Sequence, residues 1–65
     1  MNSVKQAYMD WLTDIKELND TYATDFSRII KVAEQSIEKG EFGTVGNLLG
    51  DLQIHFHRID PSLQI

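Results

Sequence analysis

Apolar residues recur four and three positions apart in three separate runs, and the chain between the runs carries residues that end helices. In the first run Val4, Tyr8, Trp11, Ile15, Leu18 and Tyr22 follow spacings of four, three, four, three and four. A helix turns about 100° per residue, so these side chains form one seam, with Ala7 and Leu12 flanking it. The second run places Phe26, Ile29, Ile30, Ala33 and Ile37 on one stripe, and the third aligns Val45, Leu49, Leu52, Phe56, Ile59 and Leu63. Strand-like alternation is nowhere sustained, which favours an all-α fold. The expectation is a small three-helix bundle with helices over 3–19, 24–39 and 44–60.

The boundaries differ in how firmly they are written. Ser3 followed by Gln6 is a capping-box pattern, in which hydroxyl and amide satisfy unpaired backbone donors reciprocally. Lys39-Gly40 marks a helix end, since glycine enters the left-handed C′ conformation without penalty. Thr44 is the expected N-cap of the third helix. Asp60-Pro61 should end that helix, because the residue before proline is pushed out of the α region. From Asn19 to Asp25 no glycine or proline forces a break. Each Asn, Asp, Thr and Tyr there costs roughly 0.5–0.7 kcal/mol relative to Ala in a helix, which favours a turn. The alternative is one long helix folded back as a hairpin, which would need to dimerise to bury its apolar face.

The chain has 65 residues and no cysteine. That is one domain, residues 1–65, without disulfide support. Below roughly 70–80 residues a single core rarely leaves more than about 3–5 kcal/mol of net stability, so a partner is a natural source of more. Six Lys and Arg against ten Asp and Glu give a formal net charge of −4. Nucleic-acid binding, which depends on neutralising phosphates, is disfavoured by that balance. The N-terminus has no leader pattern and no apolar run approaches the roughly 20 residues of a membrane span. Neither membrane nor nucleic acid is an expected partner, and the cytoplasm is the expected compartment.

Catalytic chemistry finds little support. Without cysteine there is no thiol nucleophile, the serines lack a Gly-x-Ser-x-Gly elbow, and no glycine-rich phosphate cradle is present. A bundle of this size is also expected to lack a pocket of about 300 Å³. No enzyme and no cofactor are expected. His55 and His57 are two apart and diverge on a helix, so they cannot share a metal ion, and no metal site is expected. His55 is instead expected to border the core and pair with Asp51 one turn earlier. The stretch Phe42–Leu49 is superficially similar to the opening of a recognition helix in helix-turn-helix proteins, which makes nucleic-acid binding a minor alternative. Only Asn47 there could read a base, and no Lys or Arg follows before Arg58.

Three features point toward a protein partner. Asp10, Asp14 and Glu17 share one flank of the first helix, while Lys5 and Lys16 share the other. Gly46 and Gly50, each costing about 1 kcal/mol in a helix interior, line up with Gln53 and His57 in a flat row, against which Tyr8 or Trp11, or else a partner, could pack closely. Met9, Val32 and Ile54 are expected to point outward, and if they converged they would form a patch. The tail Ser62–Ile65 could close the end of the core or enter a partner. The expected function is a small acidic protein-binding module, of the kind found among small bacterial and phage regulators and inhibitors. It would occlude a surface of a larger protein through Met9, Asp10, Asp14, Glu17, Val32, Gly46, Gly50, Gln53, Ile54 and His57. A homo-oligomeric assembly subunit is the alternative.

Overall fold

The computed structural model describes residues 3–65; Met1 and Asn2, part of the N-terminus read above, lie outside the described residues. Three helices follow in order, α1 (Val4–Thr21), α2 (Ser27–Glu38) and α3 (Phe42–Ile59), and each packs on both of the others. An unbroken helix from Val4 to Glu38 would run about 50 Å. The longest dimension of the molecule is 30 Å. The chain therefore turns after α1, and the three-helix bundle stands over the long hairpin.

The core is built from Leu12 and Ile15 of α1, Ile30, Ala33 and Ile37 of α2, and Val45, Leu49, Leu52 and Phe56 of α3. The α3 seam is buried along four of its expected positions, but α1 is rotated. Leu12, Ile15 and Asn19 are its buried residues, whereas Tyr8, Trp11, Leu18 and Tyr22 are half-buried and Val4 is 62% exposed. The cause is geometric: a helix in a three-helix bundle has two neighbours, so its most buried line lies between them and the apolar seam becomes the edge toward one. Ile29 and Ile59, expected inside, are likewise exposed at helix margins.

Both interhelical turns use the same backbone device. After α2, the Gly40 N–H donates to the Ile37 carbonyl at 3.0 Å and the Glu41 N–H to the Ser36 carbonyl at 2.9 Å. This is a Schellman motif, with Gly40 at φ +75° as its left-handed residue. After α1 the pattern repeats: Ala23 N–H donates to the Asp20 carbonyl at 3.2 Å and Thr24 N–H to the Asn19 carbonyl at 3.1 Å. The left-handed position is now Ala23, at φ +52°. The Asn19 side chain completes the turn, its Oδ1 accepting from Thr24 Oγ1 at 2.6 Å and from the Phe26 N–H at 3.1 Å.

Two caps differ from expectation. Ser3 Oγ accepts the Gln6 N–H at 3.1 Å, but the Gln6 amide turns away and donates to Asp10 Oδ1 at 2.9 Å, so the reciprocal arm of the box is not made. Thr44 does not cap α3, which starts two residues earlier at Phe42. Phe42 lies parallel to Tyr8 with ring centres 5.0 Å apart, and this contact accompanies the early start. At the other end Asp60 leaves the helix at an extended conformation, as the proline demands. Its carboxylate then forms a clasp: Oδ2 accepts from the Tyr22 hydroxyl at 2.9 Å, and Oδ1 accepts from Ser62 N–H and Oγ at 3.0 and 2.6 Å. The clasp folds the tail back, and Leu63 packs against the core.

Two predictions follow from these ends. An alanine in the left-handed region costs about 1–2 kcal/mol that glycine avoids, so Ala23→Gly should raise stability by up to about 1 kcal/mol in denaturant unfolding. The hydrogen bonds from Ser62, then that from Tyr22, hold the Asp60 carboxyl below its ordinary value of 3.8. A depressed folded value means that the stabilisation is present above 3.8 and is lost as pH falls through the folded value. The stability advantage of wild type over Asp60→Asn should therefore shrink as thermal melts move from neutral pH into acid below 3.8.

Candidate functional site

Side-chain contacts assign the edges of each helix. On α1, Lys5 and Lys16 face α2, where they pair with Glu38 at 3.5 Å and Glu34 at 2.7 Å. The Lys16 ammonium holds the Glu34 carboxyl below its ordinary value by hydrogen bond and charge. Tyr8, Trp11 and Tyr22 face α3, through Phe42, Gln53 and Phe56. On α3 the edge toward α1 is the row of Phe42, Gly46, Gln53 and Asp60, and the edge toward α2 carries His55, whose ring stands edge-on to Phe26 at 4.9 Å. His55 is exposed, and among the described residues it makes no ion pair with Asp51.

The glycine row thus looks across at the aromatic edge of α1. A methyl group built on Gly46 would meet the Tyr8 hydroxyl at 4.0 Å, an ordinary contact. Gln53 is taken by the Trp11 indole, whose N–H donates to Oε1 at 2.8 Å. His57 is half-buried and its Nε2 hydrogen-bonds the Ile65 carbonyl at 2.8 Å. These three are used by the chain itself. Gly50 is different, because a methyl group there would meet nothing within 4 Å. Internal packing does not require its glycine.

Tyr8 and Trp11, with Ala7, also line an open hollow of about 300 Å³ on α1. A second open depression of about 400 Å³ lies between α1 and α2, lined among others by Lys16, Asn19, Lys31 and Glu34. Surface hollows of the size thought absent from so small a bundle are therefore present, made by helix edges parting, not by an enclosed cavity. Among the described residues no group of three or more His, Asp or Glu side chains could hold a metal ion, and no helix is long and apolar enough to cross a membrane.

The three outward apolar residues do not converge. Met9 is half-buried and packs against the core. Its place, two residues on from Ala7, turns it to the α2 side of α1, beside the Lys5 and Lys16 row. Val32, at 44% exposure, and Ile29 lie on the margin of α2 opposite the Glu34–Glu38 row that faces α1. Ile54, at 55%, stands one turn beyond Gly50 on the outer face of α3. The acidic flank does border the hollow: Ala7, Asp10 and Asp14 fall at i, i+3 and i+7, with Glu17 continuing the row, and all three acids are exposed. The structure places Asp10 and Asp14 beside the hollow on α1, whereas Gly46 and Gln53 are met by Tyr8 and Trp11, and Glu17, Gly50 and Ile54 are not part of the hollow's lining. It leaves Met9 and Val32 elsewhere.

The sequence pattern puts Tyr8 and Trp11 on the core seam and Ala7 on its flank; the structure puts all three in the wall of the hollow. The available signal was the helix's two-neighbour geometry, which splits an apolar seam into a buried line and an edge. No protein-family model matches the chain, and neither a curated protein nor a solved structure matches it.

Gly50→Ala should stabilise the isolated protein by about 1 kcal/mol, because helix propensity improves and no neighbour is displaced. In a domain this small the gain corresponds to a rise of roughly 4–8 °C in the thermal midpoint followed by circular dichroism.

Proposed function

We propose that the protein is a small binding module that occludes a surface of a larger protein through the α1–α3 groove. The observation that supports this most is the open hollow walled by Tyr8 and Trp11; Gly50, a helix-interior glycine on the α3 row that these rings face, adds to it, since an added methyl group would meet nothing within 4 Å among the described residues. Aromatic side chains at the centre of a contact, rimmed by polar groups, are the usual makings of a binding hot spot. Tyr8 and Trp11 supply the first and the acidic row supplies the second. The role is contact and steric cover, with no bond made or broken.

Capture from an extract of the producing cells, with bound protein identified by mass spectrometry, tests the reading. Gly50→Leu should fill the groove, and Asp10→Lys with Asp14→Lys and Glu17→Lys should invert its rim. Loss of the same captured protein by both variants, with unchanged circular dichroism, is the expected result. Retention by both, or no protein captured by wild type, overturns the groove as a docking site. Light scattering covers the competing occupant, since a wild-type dimer that Gly50→Leu dissociates would make the partner a second copy.

A further inference from the structure

The occupant of the groove can be specified further, on the condition that the docking reading above holds. We propose that it is a basic amphipathic helix of a partner protein, which seats an apolar side chain in the Ala7–Tyr8–Trp11 hollow and lays Lys or Arg along Asp10, Asp14 and Glu17.

Charge carries the first part of the argument. Both lysines of α1 are turned to α2 and paired there with Glu34 and Glu38. Asp10, Asp14 and Glu17 consequently have no cation on their own helix to balance them, and the nearest recorded partner among the three is the neutral Gln6 amide on Asp10. The net charge of −4 adds to the local field and repels phosphate-rich surfaces, so nucleic acids and anionic membranes are the wrong sign for this face. A cationic protein segment is the right sign.

Shape carries the second part. The hollow of about 300 Å³ has room for one large apolar side chain against the Tyr8 and Trp11 rings, which lie 6.3 Å apart between centres. Packed helices approach to about 8–10 Å, and small side chains on the facing edge allow the near end of that range. Gly50, whose Cβ position meets nothing within 4 Å among the described residues, provides such a position on α3. Exposed Val4 at the start of α1 and exposed Ile54 beyond Gly50 extend the apolar margin at either side. A helix of about 18 residues, near 27 Å, matches the 30 Å length of the bundle.

Trp11 is the only tryptophan, so its fluorescence reports directly on the hollow. The probes are two synthetic amphipathic peptides of about 18 residues with the same leucine face, one otherwise lysine and the other otherwise glutamate. The lysine peptide should shift the Trp11 emission saturably, and its affinity should fall at least about tenfold between about 0.15 M and about 1 M salt, as the screening length drops from about 8 to about 3 Å. Asp10→Lys with Asp14→Lys should weaken it by at least about tenfold, and Gly50→Leu should do the same without touching charge. Asp20→Lys with Asp25→Lys makes an equal change in net charge away from the groove and should have much the smaller effect. Equal loss in the two double variants overturns the local acidic row as the recognition element. Binding of the glutamate peptide as tight as that of the lysine peptide, still abolished by Gly50→Leu, overturns the basic occupant while the docking reading stands. If neither peptide moves the Trp11 signal the inference fails, and the capture experiment decides the docking reading separately.

Discussion

One buried carbonyl group organises the first half of the molecule. Asn19 is 8% exposed, and its Oδ1 accepts from both the Thr24 hydroxyl and the Phe26 N–H. The start of α2 has no side-chain cap of its own, so Asn19 acts as that cap from the end of the preceding helix. A buried amide pays for its desolvation only when its bonds are made, and here they also fix where α2 begins. That placement sets Phe26 edge-on to Phe56 at 5.7 Å and to His55 at 4.9 Å, which carries the constraint into α3. The left-handed Ala23 is the strained consequence: the turn is defined well enough by Asn19 to hold a residue that glycine would fit better.

The sequence makes the three helices, the glycine end of α2 and the proline end of α3 legible, because each rests on local chemistry with a short range. Gly40 needs only its own backbone freedom, and Pro61 acts only on Asp60. The break near Asn19 is legible as weak helix propensity, but its mechanism is not, since an asparagine that bonds seven residues ahead gives no periodic signal. The rotation of α1 is missed for a different reason. A four-three seam describes a helix with one partner, and α1 has two, so the most buried line shifts to Leu12, Ile15 and Asn19 and the row of Tyr8, Trp11 and Leu18 becomes an edge.

That rotation decides what the surface residues can do together. Had the seam been fully buried, Met9 would have faced outward opposite it, and Tyr8 and Trp11 would have been inaccessible. Instead Met9 packs against the core and the two aromatic rings wall an open hollow, with the Tyr8 hydroxyl facing Gly46. The acidic row lies on one flank of α1 by 100° steps, and the tertiary arrangement leaves the Ala7–Tyr8–Trp11 hollow on the same helix open. Local periodicity orders residues on one helix; the juxtaposition of Asp10 and Asp14 with an open aromatic hollow depends on how α1 is turned against α3.

The same turning sorts the charges. A short, acidic chain could scatter its lysines and let them neutralise nearby carboxylates at random, but α1 sends Lys5 and Lys16 to Glu38 and Glu34 across the α2 boundary. Such exposed pairs are worth little in stability, about 0–1 kcal/mol each, and are weaker still in salt. Their larger effect is directional, because they remove positive charge from one side of α1 and leave three carboxylates unopposed on the other. A field of one sign on one face speeds encounter with a cationic partner and orients it before contact. For the proposed covering of another protein, orientation at encounter would matter as much as contact energy, and the Tyr8–Trp11 hollow lies on the same helix as that acidic row.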